Sequence, residues 1–128
     1  MPDGKDGRVV LVVQEEIVTR LDIADEFDKA GFKVFQAGTA VEAITVLEAE
    51  PTIRVVFTDS DLPGTMDGVK LAHYVRERWP PTILMVSSAR IPRMALPSKA
   101  FFVQRPYLRN GLANAVQEVS AQIAGSAQ

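Results

Sequence analysis

The chain has no cysteine and a single histidine, His73. Disulfide scaffolds, thiolate zinc sites and thiol nucleophiles are thereby excluded, as is a metal centre built on several imidazoles. No apolar run approaches the ~18–20 residues that a membrane span needs. The opening Met1-Pro2-Asp3-Gly4-Lys5-Asp6-Gly7 lacks the apolar core of a secretory signal, so a cytoplasmic protein is expected. Net charge is only −2, with 14 Lys and Arg against 16 Asp and Glu, and nothing argues for a nucleic-acid surface. Neither a G-x-G-x-x-G nor a G-x-x-x-x-G-K loop occurs, which removes the common nucleotide fingerprints. What is there is 128 residues, 47% hydrophobic and 23% charged. That is an ordinary balance for one compact domain with a real core. Any chemistry falls to carboxylates, hydroxyls and a few cations.

Val9-Val10-Leu11-Val12-Val13 is apolar throughout and stops at Gln14-Glu15-Glu16, which suits a strand buried on both faces. From Ile17 the period changes, and Ile17, Leu21, Ala24 and Phe27 fall on one helical stripe that Gly31 ends. Lys33 to Ala37 reads as a second strand nearer an edge. Thr39-Ala40-Val41-Glu42 is a capping box opening a helix with Val41, Ile44, Val46 and Leu47, closed before Pro51. Ile53 to Thr58 is a third strand running into the turn-rich stretch from Asp59 to Gly68. Leu71, Val75 and Trp79 mark the next helix, which Pro80-Pro81 terminates. Thr82 to Val86 is a fourth strand delivering Ser87 and Ser88, and Ala100 to Gln104 a fifth, followed by Arg105-Pro106-Tyr107. A last helix carries Leu108, Leu112, Val116, Val119 and Ile123. Residues 1–7 are expected to form a flexible lead and 125–128 a frayed tail.

Between the last two strands a helix is not expected. Pro92 and Pro97 each lack a backbone donor and push the preceding residue out of helical geometry. Only Arg93 to Ala95 escapes both effects, too little for more than one turn. Ile91, Met94 and Leu96 in that loop are either contacts for a partner or cover for a bare core edge. Strands alternating with helices predict an α/β, doubly wound, five-stranded parallel sheet of order 2-1-3-4-5, with the fourth helix short or absent. Its ligand crevice lies at the carboxyl ends of the strands. Gln14-Glu15-Glu16, Asp59-x-Asp61, Ser87-Ser88 and Arg105-Pro106 all converge there. Carboxylates without histidine or cysteine suit a hard cation such as Mg²⁺. A cation, a hydroxyl and an arginine together can hold a phosphoryl group.

Four stretches carry a family resemblance: Val10 to Glu16, Val56 to Gly64 with Met66-Asp67-Gly68, Ile83 to Ser88, and Phe102 to Tyr107. Together they make the chain similar, along essentially its whole length, to the receiver domain of two-component response regulators. The resemblance implies a flavodoxin-like receiver fold and one domain over residues 1–128, standing alone without an output domain. By it, Asp59 matches the phosphoacceptor and Glu15 the acidic Mg²⁺ ligand, while Asp61 stands where a backbone carbonyl joins the metal. Gln14 and Glu16 flank that set. Ser87 matches the switch hydroxyl, Phe102 the aromatic switch residue, and Arg105 stands at the lysine position before a cis Pro106. The implied partners are a sensor histidine kinase or phosphotransfer protein and an unidentified downstream protein. Neither nucleic acid nor membrane is implied, and the chain is expected as a monomer or weak dimer. Its role is signalling rather than enzymatic, with at most slow self-dephosphorylation.

This sequence departs from the pattern at four places. Gln14 replaces a carboxylate, Glu15 is one methylene longer than aspartate, Arg105 is a planar fork rather than a point charge, and Asp61 adds an acid. Gln14 and Arg105 favour a second reading, a binding module that signals without phosphorylation, which the retained Asp59 opposes. A third reading, a small aspartyl-phosphate hydrolase, rests on the similarity of Val55 to Asp61 to the nucleophile motif of haloacid-dehalogenase-type phosphatases. In those proteins the motif usually closes the first strand, whereas here two βα units precede it. His73 is read as a surface or half-buried residue outside the crevice, Tyr107 as a partly exposed aromatic, and Phe102 as either switch or core.

Overall fold

The computed structural model describes residues 4, 6–107 and 110–126. Five strands, β1 (Val9–Val13), β2 (Lys33–Ala37), β3 (Val55–Asp59), β4 (Ile83–Ser88) and β5 (Phe101–Gln104), alternate with four helices. These are α1 (Ile17–Lys29), α2 (Ala40–Ala49), α3 (Gly68–Arg78) and α4 (Gly111–Ser126). The sheet order is β2-β1-β3-β4-β5, all pairs parallel. Because side chains alternate across a strand, the central strands feed two cores. Val9, Leu11, Val13, Val56, Leu84 and Val86 pack with α2 and α3. On the opposite face Val10, Val12, Val55, Phe57 and Met85 pack with α1 and α4. There Phe27 meets Phe32 and Phe57 edge to face, at 5.1 and 5.9 Å between centroids.

Three helical faces differ from the expected stripes. In α1 the buried residues are Ile23, Ala24 and Phe27, while Ile17 and Leu21 are exposed. At about 100° per residue, the arc of Ile23, Ala24 and Phe27 turns away from Ile17 and further still from Leu21. In α2 the small residues Ala40 and Ala43 face inward with Leu47, and Val41 is 72% exposed. Trp79 caps α3 rather than continuing its stripe, and it rests edge-on against Tyr74. The capping box is half formed: Thr39 Oγ1 accepts from Glu42 N–H at 3.1 Å, but the Glu42 carboxylate turns to Gly38 N–H.

Between β4 and β5 there is no helix, as the two prolines dictate. Leu96 packs against the first core and covers its edge, whereas Ile91 is 82% exposed and Met94 is exposed too. The loop is held from α3: His73 Nε2 meets the Ala95 carbonyl at 2.6 Å and Arg76 Nε donates to the Ser98 carbonyl at 3.2 Å. His73 therefore works in a loop contact. In α4, Val116, Val119 and Ile123 are buried with Leu112 packed beside them; Leu108 lies outside the described residues. Of the expected lead, residues 1–3 and 5 lie outside them as well, and Gly7 N–H donates to the Gly4 carbonyl. Of the expected tail, Gly125 and Ser126 still belong to α4, and 127–128 lie outside. Among the described residues no helix is long and apolar enough to cross a membrane.

Candidate functional site at the carboxyl edge of the sheet

Parallel register brings the polar strand ends together. Asp59, the last residue of β3, pairs with Ser87 of β4, and Ser88 pairs with Gln104 of β5. Gln14 follows β1 directly and is tied to β2 by its N–H to the Ala37 carbonyl. Ser60 N–H donates to the Ser87 carbonyl and Arg105 N–H to the Ser88 carbonyl, so the backbone ladder continues past the strands into the site. Gly68 opens α3 against this edge, donating its N–H to the Ser60 carbonyl at 2.9 Å.

Asp59 is the one buried carboxylate among the described residues, 6% exposed. Its oxygens are held by three donors. Gln14 Nε2 donates to Oδ2 at 3.0 Å; Arg105 Nη2 donates to Oδ1 at 2.9 Å and Asp61 N–H to the same oxygen at 3.2 Å. The Arg105 contact is an ion pair with its cation largely shielded from solvent. Gln14, itself 6% exposed, is fixed at its other end because Oε1 accepts from Glu16 N–H at 3.1 Å. Turning that amide over would break both bonds. The Arg105–Pro106 bond is cis.

Ser87 Oγ and Tyr107 OH share a hydrogen bond of 2.9 Å. No local sequence pattern marks Tyr107 for this contact. The aromatic of β5, Phe102, is 38% exposed and so is no core residue. Ser60 Oγ donates to Ser88 Oγ at 2.8 Å. Arg20 also went unforeseen: its Nη1 donates to the Gln14 carbonyl at 2.8 Å and its Nε to Gln36 Oε1. Its helical position gave no signal for a bond across to two strand ends.

Glu15, Glu16 and Asp61 are exposed, and Asp61 reaches Asp59 through its backbone N–H. Among the described residues no group of three acidic or histidine side chains is placed to hold a metal ion. Mg²⁺ demands near-octahedral oxygen donors. Here the Gln14 amide N–H faces the Asp59 carboxylate where a cation needs another oxygen. This donor set does not fit a Mg²⁺ site.

Burial pushes the Tyr107 phenol above its ordinary value, with the Ser87 bond and the Arg105 charge opposing and the Asp59 charge assisting. A phenol whose folded pKa is raised stabilises the fold below its unfolded pKa, near 10. That contribution is lost as pH rises from there through the folded value. Tyr107→Phe is therefore expected to flatten the alkaline limb of a stability–pH curve relative to the parent. Superimposable limbs in denaturant titrations would contradict this.

A parallel sheet of this order, with a buried aspartate ending its third strand, defines a receiver-type α/β domain. Solved structures share the fold. The signal receiver domain of an HD domain-containing protein from Pseudomonas fluorescens aligns with TM-score 0.80 at 15% identity, over 91% of this chain and 97% of that one. Chemotaxis response regulator CheY4 of Vibrio cholerae aligns with TM-score 0.73 at 21% identity, over 87% and 97%. The family model of the response regulator receiver domain matches residues 10–99, and the chain belongs to that family. Receiver domains are signalling modules of two-component systems, and the family binds Mg²⁺ at its phosphorylation site. The chain is 36% identical over 69 residues to aerobic respiration control protein ArcA of Escherichia coli, covering 54% of this chain and 28% of that protein. It is 31% identical over 75 residues to sensor histidine kinase RcsC of Salmonella typhimurium, covering 59% of this chain and 8% of that protein. The chain thus spans under a third of the length of these curated relatives.

Proposed function

We propose that this domain accepts a phosphoryl group on Asp59 from the phosphohistidine of a sensor kinase or phosphotransfer protein. The observation that carries this reading is that Asp59 alone among the described carboxylates is buried, and that it is paired with a cation beside a hydroxyl. Burial keeps water from competing, and the Arg105 charge offsets part of the repulsion between a carboxylate and an incoming phosphoryl group. Ser87 is proposed to turn its hydroxyl from Tyr107 to the arriving oxygens. That releases Tyr107 beside the cleft of about 450 Å³ lined by Phe102, Arg105, Tyr107, Asn114 and Glu118, and presents a changed surface to a downstream protein. Glu15 and Asp61, facing outward, are proposed as the acids nearest any cation that visits the site.

A second reading has its own observation: three N–H donors already cover Asp59, as in a module that signals without phosphorylation. Intact-mass measurement after incubation with phosphoramidate separates the two. The expected result is a gain of one phosphoryl group, abolished by Asp59→Asn. No gain in the parent would leave the second reading standing, and a gain surviving Asp59→Asn would displace Asp59 as acceptor.

A further inference from the structure

We propose that Asp59 takes its phosphoryl group without a divalent cation, because Arg105 and Gln14 supply the charge and hydrogen bonds that a metal supplies elsewhere in the family. The inference rests on Asp59 being the phosphoacceptor. A carboxylate has about four acceptor directions, and three are taken. Oδ1 receives Arg105 Nη2 and Asp61 N–H, whereas Oδ2 receives only Gln14 Nε2. One lone pair remains, on Oδ2, and it makes Oδ2 the nucleophile.

A second observation concerns Arg105. Its Nε is buried and has no hydrogen-bond partner among the described residues. An orphaned buried donor is uncommon and calls for a use. In a guanidinium, Nε–H and one η-amino group point the same way as a fork that matches two oxygens of a phosphoryl group. Here the Nη2 prong rests on Asp59 and the Nε prong is spare. The spare prong takes an oxygen of the phosphoryl group as it arrives. A lysine at this position offers its three donors from a single nitrogen and has no planar fork to set against two oxygens. The amide of Gln14 cannot turn to offer oxygen to a cation without breaking its bonds to Asp59 and Glu16.

With phosphoramidate, Asp59 Oδ2 forms a bond to phosphorus as the P–N bond breaks. The electron pair goes to nitrogen, which already carries its protons and leaves as ammonia. The acyl phosphate charge is then shared with Arg105.

The test is the rate of mass gain of the full chain with phosphoramidate, in EDTA and in Mg²⁺, beside calorimetric titration of the protein with Mg²⁺ alone. Equal rates in both solutions and no binding heat are expected. Arg105→Gln is expected to slow the reaction about a hundredfold in either solution, the scale of losing a placed donor, and Arg105→Lys to restore it only in part. Phosphorylation that requires Mg²⁺ would overturn the cation-independent step while leaving Asp59 as acceptor. No phosphorylation in either solution would overturn both. Full activity of Arg105→Gln in EDTA would overturn the role given to the fork.

Discussion

Gly68→Ala is expected to destabilise the fold by at least about 3 kcal/mol, the upper range for overpacking a filled site, lowering the melting temperature by on the order of 10 °C. A methyl group on Gly68 would stand 1.6 Å from the Asp59 carbonyl oxygen and 2.6 Å from its carbon. Both are backbone atoms of a central strand and cannot swing aside as a side chain could. The start of α3 must then part from β3, which breaks the Gly68 N–H bond to Ser60 and moves Asp59. Thermal denaturation by circular dichroism measures the loss. A melting point within a degree or two of the parent would show that the helix start can be displaced cheaply. Gly64, with φ +95° and open space around it, is a useful contrast, since substitution there meets strain but no clash.

Gln14→Asp is expected to cost about 3 kcal/mol at neutral pH when no divalent cation is present. The change removes a buried donor from a charged acceptor, worth about 1.5–3 kcal/mol, and sets a second carboxylate beside Asp59. At an effective dielectric constant of about 20 and roughly 5 Å, like charges repel by about 3 kcal/mol, of which Arg105 offsets part. The variant carries two adjacent carboxylates with free oxygens, so Mg²⁺ is expected to bind it and to restore stability in proportion to the logarithm of its concentration. The parent should show no such response. Melting curves with and without Mg²⁺ check both halves. A variant as stable as the parent without Mg²⁺ would mean that the Gln14 bond to Asp59 contributes little.

Most of the architecture was legible because it is written in short-range patterns. An all-apolar β1 beside a less apolar β2 identifies a centre and an edge, and the alternation of strands and helices leaves few chain paths for a parallel sheet. The absent helix between β4 and β5 followed from Pro92 and Pro97 alone, since a missing donor and a blocked conformation act on the chain wherever it sits. Asp59, Ser87 and Arg105 could be placed at one edge because each lies at, just before or just beyond the carboxyl end of its own strand.

The rest depended on directions that no local pattern encodes. The inward face of α1 kept Ala24 and Phe27 but took Ile23 in place of Ile17 and Leu21, because the helix meets its neighbours along one particular line. That Gln14 turns its N–H₂ rather than its oxygen to Asp59 was decided by Glu16 N–H at the other end of the amide. That Tyr107 reaches Ser87, and that Arg20 clasps Gln14 and Gln36, joins residues 16 or more positions apart in two of these three contacts. Hydrogen bonds are short and directional, so their partners are chosen by packed strands and loops in three dimensions. By itself the sequence determined which groups stand at the edge of the sheet; the tertiary structure decided which lone pairs and donors they have left.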